Sequence, residues 1–247
     1  MLTIDLNCDL GEGCGNDAAI MPLISSANIA CGYHAGDEHT ITRTIELALQ
    51  NNVAIGAHPS FLDKENFGRK EFDLPEDEYY LLIREQLTII QEAATKCGTV
   101  LHHIKPHGAL YNISAKNKSV ARVIANAVYD FDRNLILYGL SGSHSITEAK
   151  KYSLKTASEV FPDRTYQSDG SLTPRDRSNA LINSVDQLLI QVLQMIERQT
   201  VSSVENMVVP LKTETICIHG DGIHAITFAK EINKALAKNQ IAVKAIN

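Results

Sequence analysis

Polar residues suited to acid–base or metal chemistry recur in short segments that each follow an apolar run. In the first run, residues 2–10, apolar and polar residues alternate, so a strand would place Asp5, Asn7 and Asp9 on one face. Five later runs end in similar groups: His34 with Asp37, His58, Lys105 with His107, Glu159, and His219 with Asp221. The first strand alone would also fit an outward polar face, but the recurrence favours one shared site.

Histidine and carboxylate groups together suit zinc, manganese or iron. The candidate ligands are His34, His58, His107, His219, Asp5, Asp9, Asp37 and Asp221. From them we predict Asp5, Asp9 and His58 as ligands of a divalent metal ion. No spacing such as H-x-x-x-H supports a metal site, and the alternative is that these histidines are neutral acceptors in a polar network.

Lys105 follows the predicted strand 100–104, which begins and ends with apolar residues, and precedes a proline, so we expect its side chain to be partly enclosed. An enclosed lysine serves as an electrophile toward a carbonyl or phosphate oxygen, or as a Schiff-base amine. The alternative is an ion pair with one of the acidic groups, and the two roles are compatible.

Three arginines lie in two long polar loops, residues 59–74 and 161–177. Arg69 belongs to the first loop, and Arg164 and Arg175 belong to the second. Their planar guanidinium groups are suited to gripping a carboxylate or a phosphate, although solvated loop arginines are more common. We interpret the first loop as a lid or binding loop, because it is too long and too polar for a simple connection.

Seven apolar runs alternate with helical patterns, which predicts a parallel sheet with its site at the carboxyl ends of the strands. The predicted strands are 2–10, 26–31, 53–57, 100–104, 135–140, 154–160 and 215–218. The predicted helices are one following Asp37, then 75–98, 120–128, 146–151, 178–198 and 223–237. A small β-hairpin is expected near 200–210, and the tail 241–246 is expected to add a strand. A closed barrel brings the polar strand ends onto one rim, so we predict a seven-stranded (β/α) barrel forming a single domain, 1–247.

Composition excludes several classes of protein. A net charge of −6 argues against binding nucleic acid, and we expect a cytoplasmic protein without a membrane segment. The five cysteines include no C-x-x-C pair, so we interpret them as reduced thiols with structural roles. The sequence lacks the phosphate-binding G-x-x-x-x-G-K-[ST] motif and the G-x-S-x-G motif of serine hydrolases.

Several segments together resemble the LamB/YcsF family, and they run in order from residue 5 to residue 221. They are Asp5-Leu-Asn-Cys-Asp-Leu-Gly-Glu12, Asn28-Ile-Ala-Cys-Gly-Tyr-His-Ala-Gly-Asp37, Gly56-Ala-His-Pro-Ser60, Phe67-Gly-Arg69, Lys105-Pro-His-Gly-Ala-Leu-Tyr-Asn112, Glu159-Val-Phe-Pro-Asp-Arg164, Asp169-Gly-Ser-Leu-Thr-Pro-Arg175 and Cys217-Ile-His-Gly-Asp221. The resemblance implies a TIM-like barrel of the glycoside hydrolase/deacetylase type. It also implies ATP-driven opening of the 5-oxoproline lactam to L-glutamate, with subunits B and C of a 5-oxoprolinase as partners.

Residue type and position suggest roles in that reaction. The predicted catalytic residues are Asp9, His58, Lys105, His107 and His219, and the predicted substrate- or phosphate-binding residues are Asn7, His34, Arg69, Glu159, Arg164 and Arg175. Asp9 or His58 would activate water, and His107 or His219 would protonate the departing nitrogen. Asp5 would orient its neighbours or hold magnesium.

Two other functions are kept as alternatives. One is a stand-alone metal-dependent amide hydrolase of the deacetylase type, and the other is a module that only presents substrate to a catalytic partner. An oligomer is possible under any of these hypotheses. The main hypothesis makes a geometric prediction, that Asp9 shares one cavity with His58, Lys105 and His107, and an exposed Asp9 away from them would contradict it.

Overall fold

Seven parallel strands close into a barrel in the computed structural model, which describes residues 2–220, 222 and 224–247. In chain order the strands are β1 (Leu2–Leu10), β2 (Ser26–Ala30), β3 (Ala54–His58), β4 (His103–Ile104), β5 (Ile136–Leu140), β6 (Lys155–Val160), β7 (Thr200–Ser202), β8 (Val208–Pro210), β9 (Thr215–Ile218) and β10 (Ile241–Val243). The first six pair in sequence order, and β9 closes the ring by pairing with both β6 and β1. The predicted seven-stranded barrel is confirmed.

Helices cover the outside of the barrel. They are α1 (Asp17–Ile20), α2 (Glu38–Gln50), α3 (Glu76–Lys96), α4 (Gly108–Lys116), α5 (Lys118–Phe131), α6 (His144–Lys151), α7 (Val185–Arg198) and α8 (Ala225–Lys238). Asp37 caps α2 by accepting a hydrogen bond from the Thr40 N–H at 2.8 Å. Among the described residues, no helix is long and apolar enough to span a membrane.

The alternation in β1 separates an apolar outer layer from a polar barrel interior. Cys8 and Leu10 belong to the apolar core that also contains Ile41 and Ile45 of α2. On the opposite face, the Asn7 side-chain amide donates hydrogen bonds to Glu159 and to Thr215, which lie across the barrel. The polar face of the first strand therefore points inward.

The hairpin and the tail strand predicted from sequence are both present. Strands β7 and β8 pair antiparallel, and Ser203 next to them forms a bridge with Tyr166 of the long loop 161–177. β10 pairs in parallel with the first residues of β1, ahead of the residues of β1 that pair with β2 and β9. β10 therefore lies at the amino end of β1, away from the carboxyl ends of the strands.

Two boundary predictions are wrong, and one helix was not predicted. Helix α7 begins at Val185 instead of at residue 178, because the preceding segment hydrogen-bonds to the long loop: the Ile182 N–H donates to the Asp163 carbonyl at 2.8 Å. Leu181, predicted on the apolar stripe of that helix, is 45% exposed. The fourth strand covers only His103–Ile104, and helix α4 was not predicted. The predicted start of the last helix, Ile223, lies outside the described residues.

Candidate active site

A cavity of about 520 Å³ lies at the carboxyl ends of the strands. Asp9, His58, Lys105 and His107 all line it, which confirms the prediction that they share one cavity. Other predicted residues on its wall are His219, Arg69, Arg164 and Arg175. Asn7, His34 and Glu159 are buried behind this wall and do not line the cavity, and Asp221 lies outside the described residues.

Lys105 is held at the floor of the cavity by acidic groups on both sides. Its Nζ lies 2.8 Å from Asp9 Oδ1 and 2.9 Å from Glu159 Oε1, and it donates to Asn7 Oδ1 at 3.1 Å. Burial acts to lower the pKa of Lys105, but Asp9 and the other nearby acidic groups raise it well above its usual value. The raised pKa favours the ammonium form of Lys105, which suits the role of an electrophile better than that of a Schiff-base amine.

Asp9 presents an ionised carboxylate beside this lysine. Its Oδ1 accepts hydrogen bonds from Lys105 and from the Asn28 amide, each at 2.8 Å, and its Oδ2 lies 3.4 Å from His58 Nε2. Burial acts to raise the pKa of Asp9, but His58 and Lys105 hold it well below its usual value. An ionised carboxylate at the edge of a cavity can accept a proton from water.

Asp5 lies deeper in the barrel than its predicted role as a metal ligand requires. Its two oxygens accept hydrogen bonds from the hydroxyl groups of Ser25, Ser26 and Thr215, at 2.6–2.7 Å. Burial raises the pKa of Asp5. In the described part of the chain, no group of three or more converging ligand atoms includes Asp5, so the structure does not bring it together with Asp9 and His58 as a metal set.

Glu12, His34, His58 and His107 form a compact group, here called the histidine cluster. Glu12 Oε1 lies 3.1 Å from His34 Nε2 and 3.3 Å from His107 Nδ1. The rings of His34 and His107 stack at 3.9 Å with an interplanar angle of 7°. Burial and the neighbouring His58 lower the pKa of His34 to about 3, and the same two causes hold the pKa of His107 well below its usual value.

His219, which follows β9, forms a separate pair with Asp163, which follows β6. Its Nδ1 lies 2.7 Å from Asp163 Oδ2, so Nδ1–H donates to the carboxylate and the ring orientation is set. Burial acts to raise the pKa of Asp163, but His219 lowers it below its usual value. Potential ligand atoms of His219, Asp9 and Cys217 lie within 4.8 Å of one another, so this ring reaches the same space as Asp9.

Cys217 is buried beside Lys105, with Nζ and Sγ 3.0 Å apart. Burial raises the pKa of the Cys217 thiol well above its usual value. The neutral thiol serves as a hydrogen-bond partner in the floor of the cavity, in agreement with the predicted structural role.

The three arginines have different environments. Arg164 is buried, and its guanidinium donates to the carbonyls of Thr173 and Ala180, so it braces the long loop on which Arg175 lies. This arrangement does not favour the predicted phosphate-binding role of Arg164. Arg69 lies over the Phe67 ring at 5.0 Å, at the rim of the cavity. Arg69 and Arg175 are thus the arginines placed to meet an anionic group there.

Sequence reasoning missed two residues of the site, Glu12 and Asp163. Both lie within the segments that carry the family resemblance, but each follows the turn that ends its strand. The alternation that identified Asp5, Asn7 and Asp9 does not extend past such a turn. A search for acidic residues just beyond the strand ends would have found both.

The loop 59–74 is seated on the histidine cluster through Phe67 and Gly68. The Phe67 carbonyl accepts a hydrogen bond from His107 Nε2 at 2.9 Å, and the Gly68 carbonyl accepts one from the Ala109 N–H at 3.0 Å. Gly68 has a φ of +64°, and a Cβ on it would lie 2.1 Å from Ser60 Oγ and 2.9 Å from His34 Cβ. The close approach of this loop therefore requires glycine.

Replacing Gly68 by alanine is expected to destabilise the fold by more than the ~1–2 kcal/mol of its positive φ alone. Gly98→Ala is the matched control, since Gly98 has a φ of +75° and no atom within 4 Å of a built Cβ. Thermal unfolding of both variants measures the difference. A melting temperature for Gly68→Ala equal to that of Gly98→Ala would contradict the steric account.

Known proteins resemble this chain over its length. The model of the LamB/YcsF family matches residues 4–247. The A subunit of 5-oxoprolinase from Shouchella clausii (strain KSM-K16) is 50% identical over 252 aligned positions, covering 100% of both chains. The crystal structure of a lactam utilization protein from Thermus thermophilus aligns with a TM-score of 0.93 and 36% identity, covering 99% of this chain and 100% of that one.

A more distant structure shares the fold alone. The peptidoglycan deacetylase PdaC from Bacillus subtilis aligns with a TM-score of 0.51 and 12% identity, covering 99% of this chain and 88% of that one. This likeness agrees with the predicted deacetylase type of barrel.

Proposed function

The chain belongs to the LamB/YcsF family, and we propose that it is the A subunit of a multisubunit 5-oxoprolinase that opens the lactam of 5-oxoproline to L-glutamate. A relative with 50% identity over its full length carries that name, and a structural relative with 36% identity is named for lactam utilization. The proposed partners are subunits B and C, and the proposed co-substrate is ATP with magnesium on its phosphates.

The observation that carries the proposal is the buried pair of Lys105 and Asp9 at the floor of the cavity, with Nζ and Oδ1 2.8 Å apart. Opening a lactam requires a positive charge near the amide oxygen and a base for the attacking water. The Lys105 ammonium supplies the charge, and the ionised Asp9 carboxylate supplies the base. A proton must also reach the departing nitrogen, and His219, whose Nδ1–H donates to Asp163, would deliver it from Nε2 of its imidazolium form.

ATP makes the opening of this unactivated amide favourable. Transfer of the terminal phosphoryl group to the amide oxygen, with release of ADP, would convert the carbonyl carbon into a centre that water attacks. The ring C–N bond would then break to leave an acyl phosphate, and a second water would hydrolyse it to the glutamate carboxylate and free phosphate. A cavity of about 520 Å³ exceeds the size of a five-membered lactam, which leaves space for the phosphate. Arg69 and Arg175 at the rim would bind the phosphate or the substrate carboxylate.

The test is glutamate formation from 5-oxoproline, measured for this chain alone and with subunits B and C, each with and without ATP. We expect glutamate only with the partners and ATP present. Glutamate from the chain alone without ATP would support the alternative of a stand-alone amide hydrolase. No glutamate from the complete mixture, with every component shown to be folded, would contradict the proposed reaction.

A further inference from the structure

The histidine cluster is one of two groups of converging ligand atoms in the described part of the chain, and it offers four ligand atoms where the other offers three. Its four residues come from four neighbouring strands or their following loops: Glu12 after β1, His34 after β2, His58 at the end of β3 and His107 after β4. One ligand atom from each lies within 4.8 Å of the others. The order of strands in the barrel therefore brings these distant residues together.

Backbone contacts determine which ring nitrogen of His58 and His107 carries a hydrogen. His58 Nδ1 lies 2.7 Å from the Lys105 carbonyl, and His107 Nε2 lies 2.9 Å from the Phe67 carbonyl. A carbonyl oxygen only accepts hydrogen bonds, so each of these nitrogens must be the donor. In the neutral rings, His58 Nε2 and His107 Nδ1 are consequently both unprotonated.

Those two unprotonated nitrogens face each other at 2.9 Å. Two lone pairs at this distance repel unless a positively charged centre lies near both of them. Glu12 Oε1 adds a third acceptor, at 3.3 Å from His107 Nδ1 and 3.8 Å from His58 Nε2. Asp9 Oδ2 adds a fourth, at 3.4 Å from His58 Nε2.

A single proton would satisfy one contact among these acceptors, whereas a divalent cation bound by His58 Nε2, His107 Nδ1 and Glu12 would satisfy three of them at once, and His34 Nε2 lies within reach as a fourth ligand. We propose that the histidine cluster binds one divalent transition-metal ion through His58 Nε2, His107 Nδ1, a Glu12 carboxylate oxygen and His34 Nε2. This set differs from the predicted set of Asp5, Asp9 and His58. Binding is a property of this chain and does not depend on the proposed reaction.

The ligand types select the metal. Three imidazoles and one carboxylate suit Zn²⁺, Fe²⁺, Co²⁺ or Mn²⁺, whereas Mg²⁺ and Ca²⁺ prefer oxygen ligands. The carbonyl contacts of His58 and His107 fit the same interpretation, because metal-binding histidines usually donate their other N–H to a carbonyl or carboxylate. Glu12, His58 and His107 line the cavity, so a bound ion would be reachable from it.

The test is metal binding by the purified chain after treatment with a chelator. Isothermal titration with Zn²⁺ should show one site with a Kd below about 1 μM. Mg²⁺ at about 1 mM should not displace Zn²⁺, because of its preference for oxygen ligands. Replacing Zn²⁺ with Co²⁺ should give the visible absorption of a nitrogen- and oxygen-coordinated ion, which reports the ligand set without an activity assay.

Two variants locate the site. His107→Ala removes a proposed ligand and should weaken Zn²⁺ binding by about 100-fold or more. His219→Ala is the matched control, because His219 lies on the same cavity in the other group of potential ligands, with Asp9 and Cys217. It should keep the wild-type affinity. Glu12→Gln, which preserves the side-chain shape, replaces His107→Ala if the alanine variant does not fold, and should weaken binding by about 10-fold or more.

Three results would overturn the proposal. They are the absence of one-site binding tighter than about 100 μM for every one of Zn²⁺, Co²⁺, Fe²⁺ and Mn²⁺, a folded variant of the histidine cluster that keeps the wild-type affinity, and a loss of affinity in His219→Ala as large as in His107→Ala. The first would leave a shared proton as the centre between His58 and His107. Failure of glutamate formation in the assembled enzyme would leave this proposal untouched.

Discussion

Lys105→Met is expected to lower kcat/KM for 5-oxoproline by about 10³-fold in the assembled enzyme with ATP. Methionine has nearly the length of lysine but no charge, so the variant removes the cation and keeps most of the packing. The lost charge is the one proposed to stabilise negative charge on the lactam oxygen. Steady-state glutamate formation measures the effect, and a variant that keeps more than about a tenth of the wild-type kcat/KM would exclude this role.

The same substitution also changes stability, and the two effects can be separated. Lys105→Met leaves the Asp9 and Glu159 carboxylates buried without their cation, which is expected to cost about 3–5 kcal/mol of unfolding free energy. Adding Glu159→Gln removes one of the two uncompensated charges, so the double variant should recover part of the stability. It should recover no activity, because the cation is still absent. Denaturant unfolding and the glutamate assay on the same preparations test both statements.

The barrel and most of the cavity wall could be predicted because two patterns indicate the same location for the site. They are the alternation within the first strand and the repeat of strands and helices along the chain. Alternation in residues 2–10 identified the inward face of Asp5, Asn7 and Asp9, and the repeated change from strand to helix identified the rim to which that face leads. A parallel barrel places the carboxyl end of every strand on the same side. Predicting where the strands end therefore also predicted where the site lies. Hence Asp9, His58, Lys105 and His107 were placed correctly in one cavity without knowledge of their contacts.

Contacts between loops could not be predicted in this way. Residues 178–184 have apolar spacing that suits a helix, but their backbone hydrogen bonds go to the loop carrying Asp163. The guanidinium of Arg164 donates hydrogen bonds to the carbonyls of Thr173 and Ala180. These contacts depend on the path of the folded loop, which the spacing of residues does not predict. The carbonyls of Lys105 and Phe67 determine which ring nitrogens of His58 and His107 are unprotonated. No pattern of spacing in the sequence predicts these two contacts.

Asp9→Asn is expected to lower kcat in the assembled enzyme by about 10²–10⁴-fold, because asparagine cannot accept the proton of the attacking water. Asp5→Asn is the matched control, since both residues lie on the inward face of β1, four positions apart, and Asp5 does not line the cavity. The hydroxyls around Asp5 can rotate to accept from the new amide, so this variant should keep kcat within about fivefold. Equal losses of kcat in the two folded variants would contradict the assignment of Asp9 as the base. They would show that the polar residues of β1 affect kcat through the structure of the barrel. A loss confined to Asp9→Asn would place the base at the cavity, where the ionised carboxylate faces the space shared by His58 and His219.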